Sequence, residues 1–270
     1  MTRSLRVAAA SPDIVIGEVD GNLERIRAAL QSASRAGARL IVVPELATCG
    51  YVFTDRSEAS AASLTRDDPR WRALMSVLAP GAVAVVGYAE RAANRIFNSA
   101  AVLTRDGFIG HYRKAHLWGG EAVLFDRGDR AGDVFDTPVG RLGVAICYDN
   151  EFPEVPRGLA LGGAEILALP VNWPLVPRPQ GERPPETIQA MAAARSSRLA
   201  TVISDRSGAE RGVAWTGGTA IIDEDGWIAA LPDAGGSALA DLTLRPPGDK
   251  SLPPHNDLFG DRRPELYGRS

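Results

Sequence analysis

The sequence is poor in cysteine and histidine and has no excess of basic residues. Two cysteines, Cys49 and Cys147, among 270 residues rule out a disulfide framework and fit a reducing compartment. Of three histidines, His111 and His116 stand five apart with no further Cys or His partner, so no metal site is expected. A formal net charge of -3 offers nothing to nucleic acid or an anionic membrane, both of which select basic faces. No apolar run approaches membrane-spanning length. The run at Leu5–Ala10 meets Pro12 and Asp13 too early for a signal segment. No phosphate loop of the form G-x-x-x-x-G-K-[ST] occurs, nor any internal repeat or low-complexity tract. The expectation is a soluble, cytoplasmic protein without a cofactor, whose partner is a small molecule.

What is present reads as α/β. A content of 45% hydrophobic and 23% charged residues suits one large domain with a well-buried core, expected to span 1–270. Leu5–Ala10 is a small-apolar run, the mark of a strand buried on both faces. Asp20-Gly-Asn-Leu23 is a turn and cap signal. It opens a helix with Leu23, Ile26, Leu30 and Ala33 on one stripe, closed by Gly37. Leu40–Val43 is a second buried strand, stopped by Pro44. Strand, helix and strand in this order form a βα-type unit of a layered sandwich.

The alternation continues. Strands are predicted at Ala82–Tyr88, at Ser99–Thr104 and Phe108–Tyr112 across a turn at Asp106-Gly107, and at Arg141–Ile146, Ile166–Leu169 and Thr201–Ser204. Helices are predicted after Pro153 and over Pro185–Leu199, and the end turns to β at Gly218–Ile222, Trp227–Leu231 and Ala238–Leu242. The Pro-rich stretch 174–185 is long enough to be a functional loop and is a candidate lid. The tail from about 245, with Pro246, Pro247, Pro253 and Pro254, is expected to lack regular structure and to lie over the surface or a partner subunit.

Reactive side chains in sheet proteins gather where strands give way to loops. Glu45, Lys114 and Cys147 each follow a predicted strand. A thiol with a pKa near 8.5 needs help to ionise, and a neighbouring ammonium stabilises the thiolate. A carboxylate beside both can take the thiol proton and later deliver it to a leaving amine. The three residue types therefore suffice for acyl transfer. Taken singly, each also has an ordinary structural reading. A cysteine ending an apolar strand is usually a core residue, a Glu after Pro is usually a solvated turn residue, and Tyr112-Arg-Lys-Ala-His116 would pass for a basic surface loop.

Three blocks in order change the balance. Val43-Pro-Glu45 with Gly50-Tyr51, Tyr112-Arg-Lys114-Ala-His-Leu117, and Gly143-Val-Ala-Ile-Cys147-Tyr-Asp-x-x-Phe-Pro-Glu154 with Arg157 resemble the nitrilase, or carbon–nitrogen hydrolase, superfamily. So do Gly163-Ala164 with Pro170, the segment Gly217–Gly226, and the tail Asp261-Arg-Arg-Pro-Glu-Leu-Tyr267, so the resemblance spans nearly the whole chain. It implies a four-layer α-β-β-α sandwich that assembles as a homodimer or a higher homo-oligomer.

The resemblance further implies Cys147 as nucleophile, Glu45 as general base and acid, and Lys114 as the cation beside the oxyanion. Glu121 falls where many members carry a second glutamate, and Tyr51, Tyr148, Glu151, Asn172 and Trp173 fall around the substrate. The activity implied is an amidase acting on a small aliphatic primary amide. An N-carbamoyl amine, a nitrile, or a silent binding scaffold are the alternatives. Relatives that bind acids often carry arginine just after the Cys-Tyr-Asp segment. Here Asn150-Glu151 stands there, which disfavours a substrate carboxylate near the scissile bond, unless Arg178, Arg183 or Arg206 supplies the cation.

Overall fold

The computed structural model describes residues 2–267. The chain opens with β1 (Arg3–Ala10), α1 (Val19–Arg35) and β2 (Leu40–Val42), then two short helices, α2 (Arg56–Ala61) and α3 (Trp71–Ser76). Next come β3 (Val83–Ala92), β4 (Arg95–Thr104) and β5 (Gly107–Arg113). The second half runs through α4 (Glu121–Leu124), β6 (Asp133–Thr137), β7 (Gly140–Val144), α5 (Glu154–Leu161), β8 (Ile166–Pro170), α6 (Pro185–Ser197) and β9 (Ala200–Ser204). A small hairpin, β10 (Ala209–Glu210) and β11 (Val213–Ala214), precedes β12 (Ala220–Ile222), β13 (Ile228–Ala230) and β14 (Ser237–Leu244).

These strands make two mixed six-stranded sheets, ordered β14-β1-β2-β3-β4-β5 and β13-β12-β9-β8-β7-β6. Each has three parallel strands at its centre, β1, β2 and β3 in one and β7, β8 and β9 in the other, with antiparallel neighbours outside. Period-two alternation decides the layering. On β1, Leu5, Val7 and Ala9 face the second sheet and pack with Leu142, Val144 and Ile166. Ala8 and Ala10 face the other way, against Leu23, Ile26 and Leu30 of α1. On the far side, Leu159 of α5 and Ala190 and Ala194 of α6 cover the second sheet. The result is the expected α-β-β-α sandwich, whose central strands are buried on both faces.

Several local expectations are corrected. Helix α1 begins at Val19, so Asp20-Gly-Asn22 lies inside its first turn rather than before it. Asn22 is buried there and its side chain bonds Val15 and Thr48, a tertiary demand that overrides the turn signal. Strand β6 was invisible in sequence because Asp133-Val-Phe-Asp-Thr137 is a short, half-exposed edge strand without an apolar run. The tail is not wholly irregular. It forms a short hairpin, β15 (Ser251–Leu252) with β16 (Asn256–Asp257), and buries Lys250, whose Nζ donates to the Arg198 carbonyl at 2.9 Å. Among the described residues no helix is long and apolar enough to cross a membrane.

Candidate active site

Parallel central strands deliver their following residues to one end of each sheet. Glu45 leaves the first sheet just after β2, and Cys147 leaves the second just after β7. The Glu45 N–H donates to the Val171 carbonyl at 3.3 Å, which ties this exit to the residue that follows β8 in the second sheet. Both turns contain a left-handed residue without being glycine, Leu46 at φ 49° and Cys147 at φ 48°. Such backbone costs about 1–3 kcal/mol at each position and persists where the surroundings over-determine it. The surroundings do so here. A Cβ on Gly87 of β3 would lie 2.2 Å from the Pro44 carbonyl oxygen, so only glycine lets the Glu45 turn cross that strand.

Lys114 is fully buried beyond the end of β5, and its ammonium sits between two carboxylates. Nζ donates to Glu45 Oε1 at 2.6 Å and to Glu121 Oε1 at 2.8 Å. Burial alone would lower the lysine pKa, but the charges of Glu121 and Glu45 outweigh it and hold the ammonium well above its ordinary value. An ammonium has three N–H donors, so one remains for a further acceptor.

Glu45 Oε1 also accepts from Asn98 Nδ2 at 2.7 Å, whereas its Oε2 is buried without a partner. Burial pushes the Glu45 carboxyl up to about 7, against the lowering charge of Lys114. Cys147 is buried at the start of a one-turn 3-10 helix, Cys147–Glu151. Burial, reinforced by the Glu45 charge, pushes its thiol well above the ordinary value, and Lys114 and the Asn172 backbone N–H only partly offset this. Burial therefore works against the thiolate that the lysine ammonium favours.

Asp149 locks the lysine loop to the cysteine turn. Its carboxylate accepts from the Ile146 N–H at 3.0 Å, from the Tyr112 hydroxyl at 2.8 Å and from the His116 N–H at 3.0 Å. Neither Asp149 nor Asn98 was singled out from sequence. The signals were present all the same: an Asp inside the cysteine block, and an Asn between the buried Phe97 and Ser99 of a largely buried strand.

A cavity of about 510 Å³ opens at Cys147. Tyr148, Glu151 and Trp173 line it, as expected, together with Trp118, Ile188 and Glu186. Pro174, Val176 and Pro185 bring both ends of the Pro-rich stretch to its wall. Tyr51 and Asn172 do not line it. The Tyr51 hydroxyl is bonded to Glu121 Oε1, and Asn172 is buried with both side-chain polar atoms unpartnered. Asp205 lies behind the wall and accepts the Trp173 N–H at 3.0 Å. None of the three arginines lines the cavity. Arg178 and Arg183 are exposed, and Arg206 is buried against Glu210 at 2.7 Å. The ionisable side chains on the cavity wall besides Cys147 and Tyr148 are two acids, Glu151 and Glu186. Among the described residues no cluster of His, Cys, Asp and Glu has the makings of a metal site.

Comparison with known proteins agrees with this geometry. The carbon-nitrogen hydrolase family matches residues 6–245. The chain belongs to that family. It is 34% identical to a nitrilase of Pyrococcus abyssi, over 98% of this chain and 100% of the relative. It is 30% identical to an N-carbamoylputrescine amidase of Solanum lycopersicum, over 93% and 89% of the two chains. Among solved structures, a variant of a nitrilase-superfamily amidase from Nesterenkonia AN1 superposes with a TM-score of 0.78 at 24% identity, over 97% and 95% of the chains. The fold is thus the nitrilase-type sandwich, and the carbon–nitrogen hydrolase is an enzyme that cleaves C–N bonds.

Proposed function

We propose that this hydrolase is an amidase, a single domain over 1–270 that converts a small aliphatic primary amide to carboxylic acid and ammonia through a thioester on Cys147. The observation that carries the reading is the Lys114 ammonium held between Glu45 and Glu121, near a buried thiol that lines the cavity. Glu45 Oε2 takes the Cys147 proton as sulfur attacks the amide carbonyl. The third Lys114 N–H and the Tyr148 backbone N–H hold the oxyanion. The tetrahedral adduct collapses, its C–N bond breaks, and Glu45 returns the proton to the departing ammonia. Water, deprotonated by Glu45, then cleaves the thioester to free acid and thiol.

Because attack needs Glu45 ionised, and burial places that carboxyl at about 7, kcat/KM is expected to climb as pH rises through about 7 and to level off above it. A profile flat between about pH 5 and 9 would contradict Glu45 as the base.

The cavity wall favours an amide with a neutral or amine-bearing tail. Burial and the Glu186 charge both raise the Glu151 pKa, which reports a local field hostile to further negative charge. A second reading, an N-carbamoyl amine as substrate, is supported by the same acids and by the likeness to N-carbamoylputrescine amidases. Ammonia release from aliphatic amides, ω-amides, N-carbamoyl amines and nitriles tests both. Neutral and amine-bearing substrates are expected to exceed anionic ω-amides by about tenfold or more in kcat/KM, a gap that Glu151→Gln narrows. Carbon dioxide released with the ammonia marks a ureide. Anionic ω-amides as the best substrates would overturn the assignment. No turnover of any class by folded protein would favour a binding scaffold.

A further inference from the structure

Glu121 has an insecure address. It starts the four-residue helix α4, directly after the exposed Trp118, Gly119 and Gly120, yet it must hold one side of a fully buried ammonium. Two contacts fix its carboxylate from outside the lysine. Oε2 accepts the Trp118 N–H at 3.1 Å, and Oε1 accepts the Tyr51 hydroxyl.

Tyr51 is itself built in. Glu210 Oε1 accepts the backbone N–H groups of Tyr51 at 2.8 Å and Val52 at 2.6 Å. Glu210 Oε2 is paired with Arg206 Nη2, which also donates to the Ile14 carbonyl at 3.0 Å. The Arg206 guanidinium lies over the Trp215 ring at 5.2 Å from its centroid, and Trp215 meets the Tyr51 ring edge-on at 5.7 Å. The contacts close a ring of Tyr51, Glu210, Arg206 and Trp215. Gly50 belongs to it too, since a Cβ there would meet Ile16 Cα at 2.6 Å and Glu210 Oε2 at 2.9 Å.

We propose that Tyr51 is a positioning residue for the Glu121–Lys114 pair, and that the buried Glu210–Arg206 ion pair exists to hold it there rather than to bind substrate. The inference rests on the reading of Glu45, Lys114 and Cys147 given above. Burial and the charges of Glu121 and Glu45 keep the Tyr51 phenol well above its ordinary pKa, so it stays a donor throughout the working pH range. Through Glu121 it fixes which way the free Lys114 N–H points, and hence how well that donor meets an oxyanion.

Tyr51→Phe removes the hydroxyl and keeps the ring against Trp215, so the fold is expected to survive. The test measures steady-state turnover together with the rate at which iodoacetamide alkylates Cys147, followed by intact and peptide mass. The alkylation needs no substrate, so it still reports on the site if the amidase reading fails. The expected result is a kcat lower by about 10- to 100-fold, KM within about twofold of the parent, and Cys147 alkylation slowed about tenfold. Glu210→Gln, which keeps an acceptor for the two N–H groups and breaks the ion pair, is expected to move kcat and alkylation in the same direction by less. An unchanged alkylation rate with raised KM and preserved kcat would overturn the proposal and make Tyr51 a substrate contact. Unchanged kinetics with a lowered Tm would reduce it to packing.

Discussion

Cys147→Ala is expected to abolish ammonia release, by at least about 10⁴-fold in kcat, while the protein stays folded. The two halves of this expectation have separate causes. Chemically, nothing else described near Lys114 can form the thioester. The other cysteine, Cys49, is fully buried among Leu46, Phe53 and Ala89, and burial pushes its thiol up to about 12. Structurally, the substitution removes only the sulfur. Alanine tolerates φ 48° no worse than cysteine does, and the turn is held by Asp149 accepting the Ile146 N–H, a bond the mutation leaves alone. The loss should therefore appear in kcat with the melting temperature within a few degrees of the parent. Retention of about a tenth of the activity would sink the thioester route and turn attention to water attacking directly, with Glu45 as its base.

That result would also test how far the chain could be read before folding. Glu45, Lys114, Glu121 and Cys147 could be named as candidates because each stands in a local block of the sequence. Strand β2 and the end of β7, which precede Glu45 and Cys147, were legible for a related reason: they are buried runs of apolar residues. What depends on register across the sheet was not legible. Asn98 reaches Glu45 because β4 lies beside β3, and Gly87 matters because the Glu45 turn passes over β3 at that residue. The route from Tyr51 to Arg206 joins residues far apart in sequence and carries no local signal. The burial of the Cys147 thiol was not legible for a different reason. An adjacent ammonium argues for a thiolate, but the depth of burial, which favours the neutral thiol, exists only in the folded chain.

Lys114→Met should show how these buried charges depend on one another. Methionine fills much of the same volume, so the dominant change is electrostatic. Glu45 and Glu121 lose their shared counter-ion while both stay buried. Removing one partner of a buried ionic group costs about 3–5 kcal/mol, because the remaining charge is left uncompensated. Activity should fall by about 10³-fold or more, since the cation facing the oxyanion is gone. The stability loss should depend on pH in a defined direction. The Lys114 charge lowers the Glu45 pKa, so without it the folded-state value rises above the present value of about 7, further from the ordinary 4.5 of an unfolded glutamate. Between those limits the folded state binds more protons than the unfolded one, and stability falls as pH rises. The deficit relative to the parent should be small near pH 5, where Glu45 enters the fold protonated in both proteins, and larger near pH 9, above the parent value of about 7. Chemical denaturation at the two pH values measures this directly. A deficit of equal size at both would mean that the lysine stem contributes packing, and that the two glutamates do not need its charge to stay buried.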